Sequence, residues 1–439
     1  CSLSPRWPAA DSPPKARKHH RAERLAAANW MKRQRRLSDP DDTEDAGERK
    51  VQKIGFASTY SISSAWFREA VIDRLDDDRV AAKVRGLHSV VKSATRSRET
   101  PLPGLSGHRS GLEGWVARSA GPWVYPDRWR AARLEAEFGD GRRRADFPWL
   151  AEAGRKAAAA LIEVMGLGAP TDYLALVVQD LDGMGVFLSG EGLARDDRPI
   201  TVSVAEHRRV SDRLQKAGDD QVAALRTEEV MGVPVYAGGD DLLAFAPAAT
   251  ALTAAEKVHS LLPPELPTAS TAVLFFHHTA SLRRALDTAR TMVQAAKDRV
   301  PGKGGLAVGF LRRSGARAES IQPWVPDGGG SPVIELFAML GRGQEYRISP
   351  GLVADLERDR DELGALRHEY PDHYAAEIRR LVARHTSGPR GPGRDVRVRE
   401  AAAALVDLAA RERAIDDRGA AAHVVAPARV GVFLRQEAR

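Results

Sequence analysis

The chain has 439 residues, 43% of them hydrophobic and 28% charged, and 66 Lys and Arg against 59 Asp and Glu give a formal net charge of +7. That length exceeds one ordinary hydrophobic core, so two or three domains are expected. The lone cysteine, Cys1, excludes internal disulfides and multi-cysteine zinc sites and fits a reducing cytoplasm, and no apolar stretch reaches the roughly 18 residues of a membrane span.

Residues 1–50 are Pro-rich and charged, and read as a basic, partly flexible segment with one short helix over 22–34. The chain opens on Cys rather than Met, which leaves room for functions encoded upstream. Residues 51–167 read as mostly helical: a Ser/Thr-rich start leads into an amphipathic helix within 57–75, and a strong helix over 147–166 ends at glycine. From 168 to 325 the pattern changes. "DYLALVVQ" (172–179) is a nearly continuous apolar run and predicts a fully buried strand. A helix over 201–230, a hairpin over 233–246, a helix over 251–263, a strand over 268–278, a helix over 281–300 and a strand over 306–315 follow. This order predicts an α+β domain, with helices on one face of a largely antiparallel sheet. After the linker 325–332, helices are expected over 333–341, 349–367, 370–385 and 396–414, with a flexible break at 386–395. Basic runs such as "RKHHRAER" (17–24) and "GRRRAD" (141–146) suit a phosphate backbone or a solvated helix face.

Two acidic segments carry the chemistry. "QDLDGMG" (179–185) ends the buried strand, where Asp180 and Asp182 share a face and glycine N–H groups can approach an anion. "VYAGGDDLLAFAP" (235–247) sets Asp240 and Asp241 at a hairpin tip. Gly-Gly and Asp-rich tips are also ordinary turn chemistry, so the hairpin alone leaves both readings open. If the hairpin lies beside the first strand, three or four carboxylates converge and repel one another unless cations sit among them. Hard oxygen ligands select Mg²⁺ or Mn²⁺ with substrate phosphates.

Together these segments resemble the nucleotide-cyclase-like palm domain in the large subunit of type III CRISPR effector complexes, most closely the type III-B (Cmr) branch. "FASTYSISSAWFREAV" (56–71), "HRRVSDRL" (207–214), "FFHHTASLRRAL" (275–286), "AAKDR" (295–299), "FLRRSG" (310–315) with "QPW" (322–324), and "VGVFLRQEAR" (430–439) agree in order. The resemblance implies a ferredoxin-like palm flanked by N-terminal and C-terminal helical domains, the latter over 333–439. It implies that ATP is joined through 3′–5′ linkages and closed into cyclic oligoadenylates when crRNA-guided binding of target RNA occurs, within a cytoplasmic assembly of other Cmr subunits and without a membrane. Asp180, Asp240 and Asp241 would be catalytic and hold two Mg²⁺ or Mn²⁺ ions with the ATP, and Asp182 would support them. Gly183, Met184 and Gly185 would offer N–H groups to the triphosphate, alongside Gly238 and Gly239 at the tip. Lys297 would contact phosphate, and Ser211 would sit near the adenine. His277 and His278 end a strand near the same rim, and without metal-ligand spacing no zinc is expected there.

The chain also departs from the family pattern. Where a zinc-binding element is usual, Cys1 is followed by Ser4, Ala26 and Asn29, so no structural zinc is expected. No His-Asp dipeptide marks an HD nuclease, and no second palm is visible. A catalytically silent scaffold that joins crRNA to neighbouring subunits is the competing reading. A diguanylate cyclase shares the fold, but Asp241 and Leu242 stand where that signature carries Glu and Phe.

Overall fold

A computed structural model of the chain describes residues 56–95, 100–107, 109–139, 146–324, 332–341, 346–415 and 424–437. The helix expected over 22–34, the positions Cys1, Ser4, Ala26 and Asn29, and most of the 325–332 linker lie outside the described residues. The chain divides into two compact units. In the first, the described residues are Phe56, 130–139 and 146–149, which include the helix Ala131–Phe138 with Leu134 buried. The second, Ala57–Trp129 with Leu150–Arg439, contains the sheet.

Six strands form that sheet: β1 (Tyr173–Leu181), β2 (Val233–Gly238), β3 (Asp241–Pro247), β4 (Ala269–His277), β5 (Gly305–Leu311) and β6 (Arg317–Pro323). Their order is β2-β3-β1-β4-β5-β6. Only β4 and β5 run parallel; the other neighbours are antiparallel. Four helices belong to this layer: α1 (Met184–Leu188), α2 (Val204–Leu225), α3 (Ala251–Ser260) and α4 (Leu282–Arg299). Ser203 caps α2 by accepting from the Glu206 N–H, and Ser281 caps α4 by accepting from the Arg284 N–H.

Helices cover both faces of the sheet, not the single face that the sequence pattern suggested. Tyr173, Ala175, Val177, Val273 and Phe275 pack with α3 and with the helices Val333–Gly341, Pro392–Ile415 and Val425–Glu437. On the opposite face α4 lies against β5. A Cβ at Gly309 would stand 2.9 Å from Met292 Cε, and one at Gly305 would stand 2.9 Å from the Ala296 Cβ. The uninterrupted apolar runs of β1, β4 and β5 have this cause: strands covered twice lose the alternation of a half-buried strand.

Three further elements differ from expectation. The strand expected over 306–315 ends at Leu311, and a tight turn at Arg312–Ala316, with Gly315 at φ +92°, returns the chain as β6. The helix expected over 349–367 breaks at Asp359 into Gly351–Arg358 and Arg360–Glu369. Within the break expected at 386–395, Thr386–Ser387 pairs with Arg347–Ile348, and a helix already begins at Pro392.

Candidate active site

The antiparallel register of β1 and β3 sets Asp180 directly opposite Asp241. The hairpin that delivers Asp241 closes on a two-residue tip, Gly239-Asp240, because Gly238 pairs with Asp241. Gly239 has φ +66°, a left-handed conformation that glycine adopts without a Cβ penalty. The Asp240 carbonyl then accepts from the Leu181 N–H at 2.9 Å, so the tip is tied to the end of β1. The backbones of Asp180, Asp240 and Asp241 therefore meet at one sheet end, from positions sixty residues apart in sequence. Unlike the ligand atoms of Asp172, His277 and His278, their carboxylate oxygens do not converge into a group close enough to hold a metal ion. Like charges directly opposite on neighbouring strands destabilise a sheet. Burial and the adjacent Asp240 carboxylate both raise the pKa of Asp241, with Arg290 of α4 opposing them.

Lys297, near the C-terminus of α4, reaches the same end. Its ammonium pairs with Asp180 Oδ1 and donates to the Leu181 carbonyl at 3.3 Å, and it lies 3.8 Å from Asp182 Oδ1. Burial, followed by repulsion from Lys303, holds its pKa below the usual lysine range.

Asp182 has a different environment. Its side chain is 2% exposed and accepts from Thr268 Oγ1 at 3.0 Å, Ser270 Oγ at 3.0 Å and the Gly304 N–H at 2.8 Å. Burial raises its pKa against those hydrogen bonds. It thus fastens the β1–α1 turn to the loop before β5. Residues 302–304 of that loop all have positive φ, and a Cβ at Gly183 would lie 3.8 Å from Lys303 Nζ. Gly183, at φ +66°, caps α1, whose first-turn N–H groups, including those of Met184 and Gly185, have no intrahelical acceptor.

Residues 173–307, from the start of β1 into β5 and spanning both acidic segments and Lys297, match the family model Cas10/Cmr2, second palm domain. These residues form a Cas10/Cmr2 palm domain. The CRISPR system Cmr subunit Cmr2 of Pyrococcus furiosus is 32% identical over 183 residues, which is 36% of this chain and 21% of that protein. Among solved structures, a type III-B Cmr-beta complex bound to cognate target RNA aligns with TM-score 0.50 at 14% identity, over 83% of this chain and 48% of that one. The apo state of Cmr-beta aligns with TM-score 0.46 at 14% identity, over 77% and 43%. The chain is similar to type III-B large subunits and spans less than half the length of these relatives.

The Cas10/Cmr2 palm also contains features that sequence reasoning missed. A narrow crevice of about 10 Å³, room for about one water, opens between α2 and the hairpin tip, with Leu181, Leu214 and Leu262 as walls and Gln179, Gln221, Asp240 and Asp241 among its lining. Gly218 permits the approach of α2: a Cβ there would meet the Ala237 carbonyl oxygen at 3.1 Å and Gly238 Cα at 3.3 Å. Ser211 lies about two turns before Gly218 on α2, is exposed, and does not line the crevice.

His277 and His278 do not share the acidic rim. Antiparallel pairing places the end of β4 beside the start of β1, where Tyr173 faces His277, while Asp180 faces Ser270. With Asp172 the two histidines form a group whose ligand-type atoms lie within 4.8 Å of one another, close enough to hold a metal ion. Local hydrogen bonding argues for a different role. The Thr279 N–H donates to His277 Nδ1 at 3.1 Å, which keeps the ring proton on Nε2, 3.7 Å from Asp172 Oδ2. A metal on Nε2 would move that proton to Nδ1, against the Thr279 N–H. The neighbouring His277 holds the Asp172 carboxyl below the usual range, partly offset by burial.

Proposed function

We propose that this chain is the nucleotide-polymerising part of a type III-B CRISPR large subunit, converting ATP into cyclic oligoadenylates when a crRNA-guided complex binds target RNA. The pairing of Asp180 with Asp241 beside Asp240 carries this reading. Three carboxylates at one sheet end, with no sulfur ligand, fit Mg²⁺ or Mn²⁺ better than softer metals. Such ions, when bound with ATP, make a 3′-hydroxyl a better nucleophile and neutralise the pyrophosphate that leaves.

The remaining work falls to the chain itself. The attacking 3′-oxygen forms a bond to the α-phosphate as the bond to pyrophosphate breaks. The N–H groups of Gly183, Met184 and Gly185 receive phosphate oxygens, and Gly238 and Gly239 leave the tip free of side chains that would block the nucleotide. Lys297 neutralises Asp180 before the substrate binds and then turns its ammonium to the triphosphate, a shift that its existing contact with Asp180 supports. Lys303 stands near Gly183 to share that charge. Asp182 acts as a clamp for the phosphate-side loops, a role that its buried hydrogen bonds favour over direct contact with substrate.

Labelled ATP or GTP, supplied with Mg²⁺ or Mn²⁺ and target RNA to the assembled complex, tests the proposal. Oligoadenylate products are expected, and an Asp240→Ala, Asp241→Ala double variant should lose them while still assembling and binding RNA. Cyclic dinucleotide from GTP would point to a diguanylate cyclase, and absence of turnover to a scaffold.

A further inference from the structure

At the end of β1 away from Asp180, a cavity of about 290 Å³ is lined by the helix Ala65–Ile72, the loop 167–172 and the end of the helix Val425–Glu437. Trp66 forms one wall, and half of this residue is exposed. The charged residues that line the cavity, Asp172 and Glu437, are both acidic. The C-terminus of the helix Val425–Glu437 adds partial negative charge at the same place. Cations approach these carboxylates from outside the cavity. His277 Nε2 and His278 Nδ1 stand 3.7 and 3.8 Å from Asp172, and Arg312 Nη1 stands 3.6 Å from Glu437, but none of the three lines the cavity. Asp172 keeps 52% of its side chain exposed. A hydrogen bond from His277, partly offset by burial, holds its carboxyl below the usual range, so it is ionised at neutral pH.

The frame of the cavity is fixed by hydrogen bonds. Ser63 Oγ and the Tyr125 hydroxyl lie 2.7 Å apart, and that hydroxyl donates to the Thr171 carbonyl at 2.7 Å. Thr171 Oγ1 in turn donates to the Glu437 carbonyl. The three walls are thus joined before anything binds, which lowers the ordering cost of binding. An indole face beside two carboxylates attracts a cation and repels a phosphate backbone. A guanidinium suits it better than an ammonium. It is flat and weakly hydrated, stacks on an aromatic face and offers its N–H fork to carboxylates, whereas an ammonium is a strongly hydrated point charge. The space admits one long side chain, and a tryptophan is the residue type on which protein interfaces concentrate binding energy.

We propose that this cavity is a socket for an arginine side chain presented by a partner protein, with the guanidinium stacked on Trp66 and its charge met by Asp172 and Glu437. The socket lies at the opposite end of β1 from the acidic rim, so it stands apart from the nucleotide chemistry proposed above.

The test is fluorine NMR of the full chain carrying 5-fluorotryptophan, with the Trp66 signal assigned by its loss in Trp66→Phe. The probes are the peptide acetyl-Gly-Arg-Gly-amide and its counterparts with citrulline, the neutral isostere, and with lysine in place of arginine. The arginine peptide is expected to move the Trp66 signal saturably. The citrulline peptide should bind roughly tenfold more weakly, the weight of a cation–π contact with an exposed ion pair, and the lysine peptide should also bind more weakly. Glu437→Gln should weaken the arginine peptide by roughly twofold to fivefold. Single-stranded RNA should leave the signal in place. Equal affinity for the arginine and citrulline peptides, movement by RNA, or no saturable movement with the arginine peptide overturns the socket. A lysine peptide that binds as tightly overturns the choice of a guanidinium, and unchanged affinity in Glu437→Gln overturns the part given to that carboxylate.

Discussion

Asp180 and Asp241 face each other across β1 and β3, on the side of the sheet that α4 covers, and the Lys297 ammonium pairs with Asp180. Without a divalent ion, that ammonium supplies the positive charge that the carboxylates require. Under the proposed function, lysine and metal would therefore compete for Asp180.

Lys297→Met should consequently strengthen binding of Mn²⁺ alone, by roughly tenfold, the weight of one charge-assisted hydrogen bond. The same variant should bind ATP more weakly, because the triphosphate loses a cationic partner. Titration of Mn²⁺ by electron paramagnetic resonance, with and without ATP, measures both. Unchanged Mn²⁺ affinity would mean that the ammonium and the ion do not share Asp180.

Asp182 separates clamp from ligand. Asp182→Ala strands the Thr268 and Ser270 hydroxyls and the Gly304 N–H, at about 2–4 kcal/mol of stability, since a buried donor left unpaired costs about 1–3 kcal/mol and only Ser270 is fully buried, while water can reach the part-buried Thr268 and Gly304. Asp182→Asn, which retains an acceptor, should lose less. Urea denaturation measures the loss. Full stability together with abolished Mn²⁺ binding would make Asp182 a metal ligand instead.

Gly218 sets the spacing between α2 and the hairpin. Gly218→Val adds a branched side chain where even a Cβ is within 3.1 Å of the Ala237 carbonyl oxygen, so the hairpin must move. A destabilisation of about 1–3 kcal/mol is expected, read by urea denaturation. Gly218→Ala should be milder. A valine variant as stable as wild type would mean that Gly218 does not set this spacing.

Glu412, buried in the helix Pro392–Ile415, gives the fold a pH dependence independent of the active site. Burial raises its pKa to about 7, against hydrogen bonds from Ser320, the Ile321 N–H and Gln322 and the charge of Arg299. A folded-state pKa above the unfolded value of 4.5 means that the native state holds the proton more tightly. This contribution is complete below about pH 4.5 and is lost as pH rises to about 7. Glu412→Gln should remove that decline and stabilise the protein at pH 8 by up to about 3 kcal/mol, with little difference near pH 5. Parallel slopes for variant and wild type in urea denaturation across this range would contradict it.

Much of the palm is legible in the amino-acid order. The apolar run of β1 reads as a buried strand, and Gly238-Gly239-Asp240-Asp241 between two apolar segments reads as a hairpin tip, because both signals are local. Three features are not legible, since each depends on a partner distant in sequence. Gln179 looks like the polar exit of a strand until Gln221, 42 residues away, is found bonded to it. Asp182 reads as a supporting carboxylate of the acidic cluster, and nothing near it in sequence announces Gly304, 122 residues away, which donates to it. Gly218 in a helix carries no signal until the hairpin lies against it. The turn before β6 is a different case: "RSG" between apolar runs marks a turn, and a single strand over 306–315 overlooked it.

The most direct measurement is an anomalous difference map from crystals grown with Mn²⁺ and a non-hydrolysable ATP analogue. Manganese peaks against Asp180, Asp240 and Asp241, with the triphosphate beside Gly183–Gly185, are expected. Manganese found only beside Asp172, His277 and His278, or a triphosphate bound away from the hairpin tip, would contradict the assignment of the carboxylate cluster as the catalytic centre.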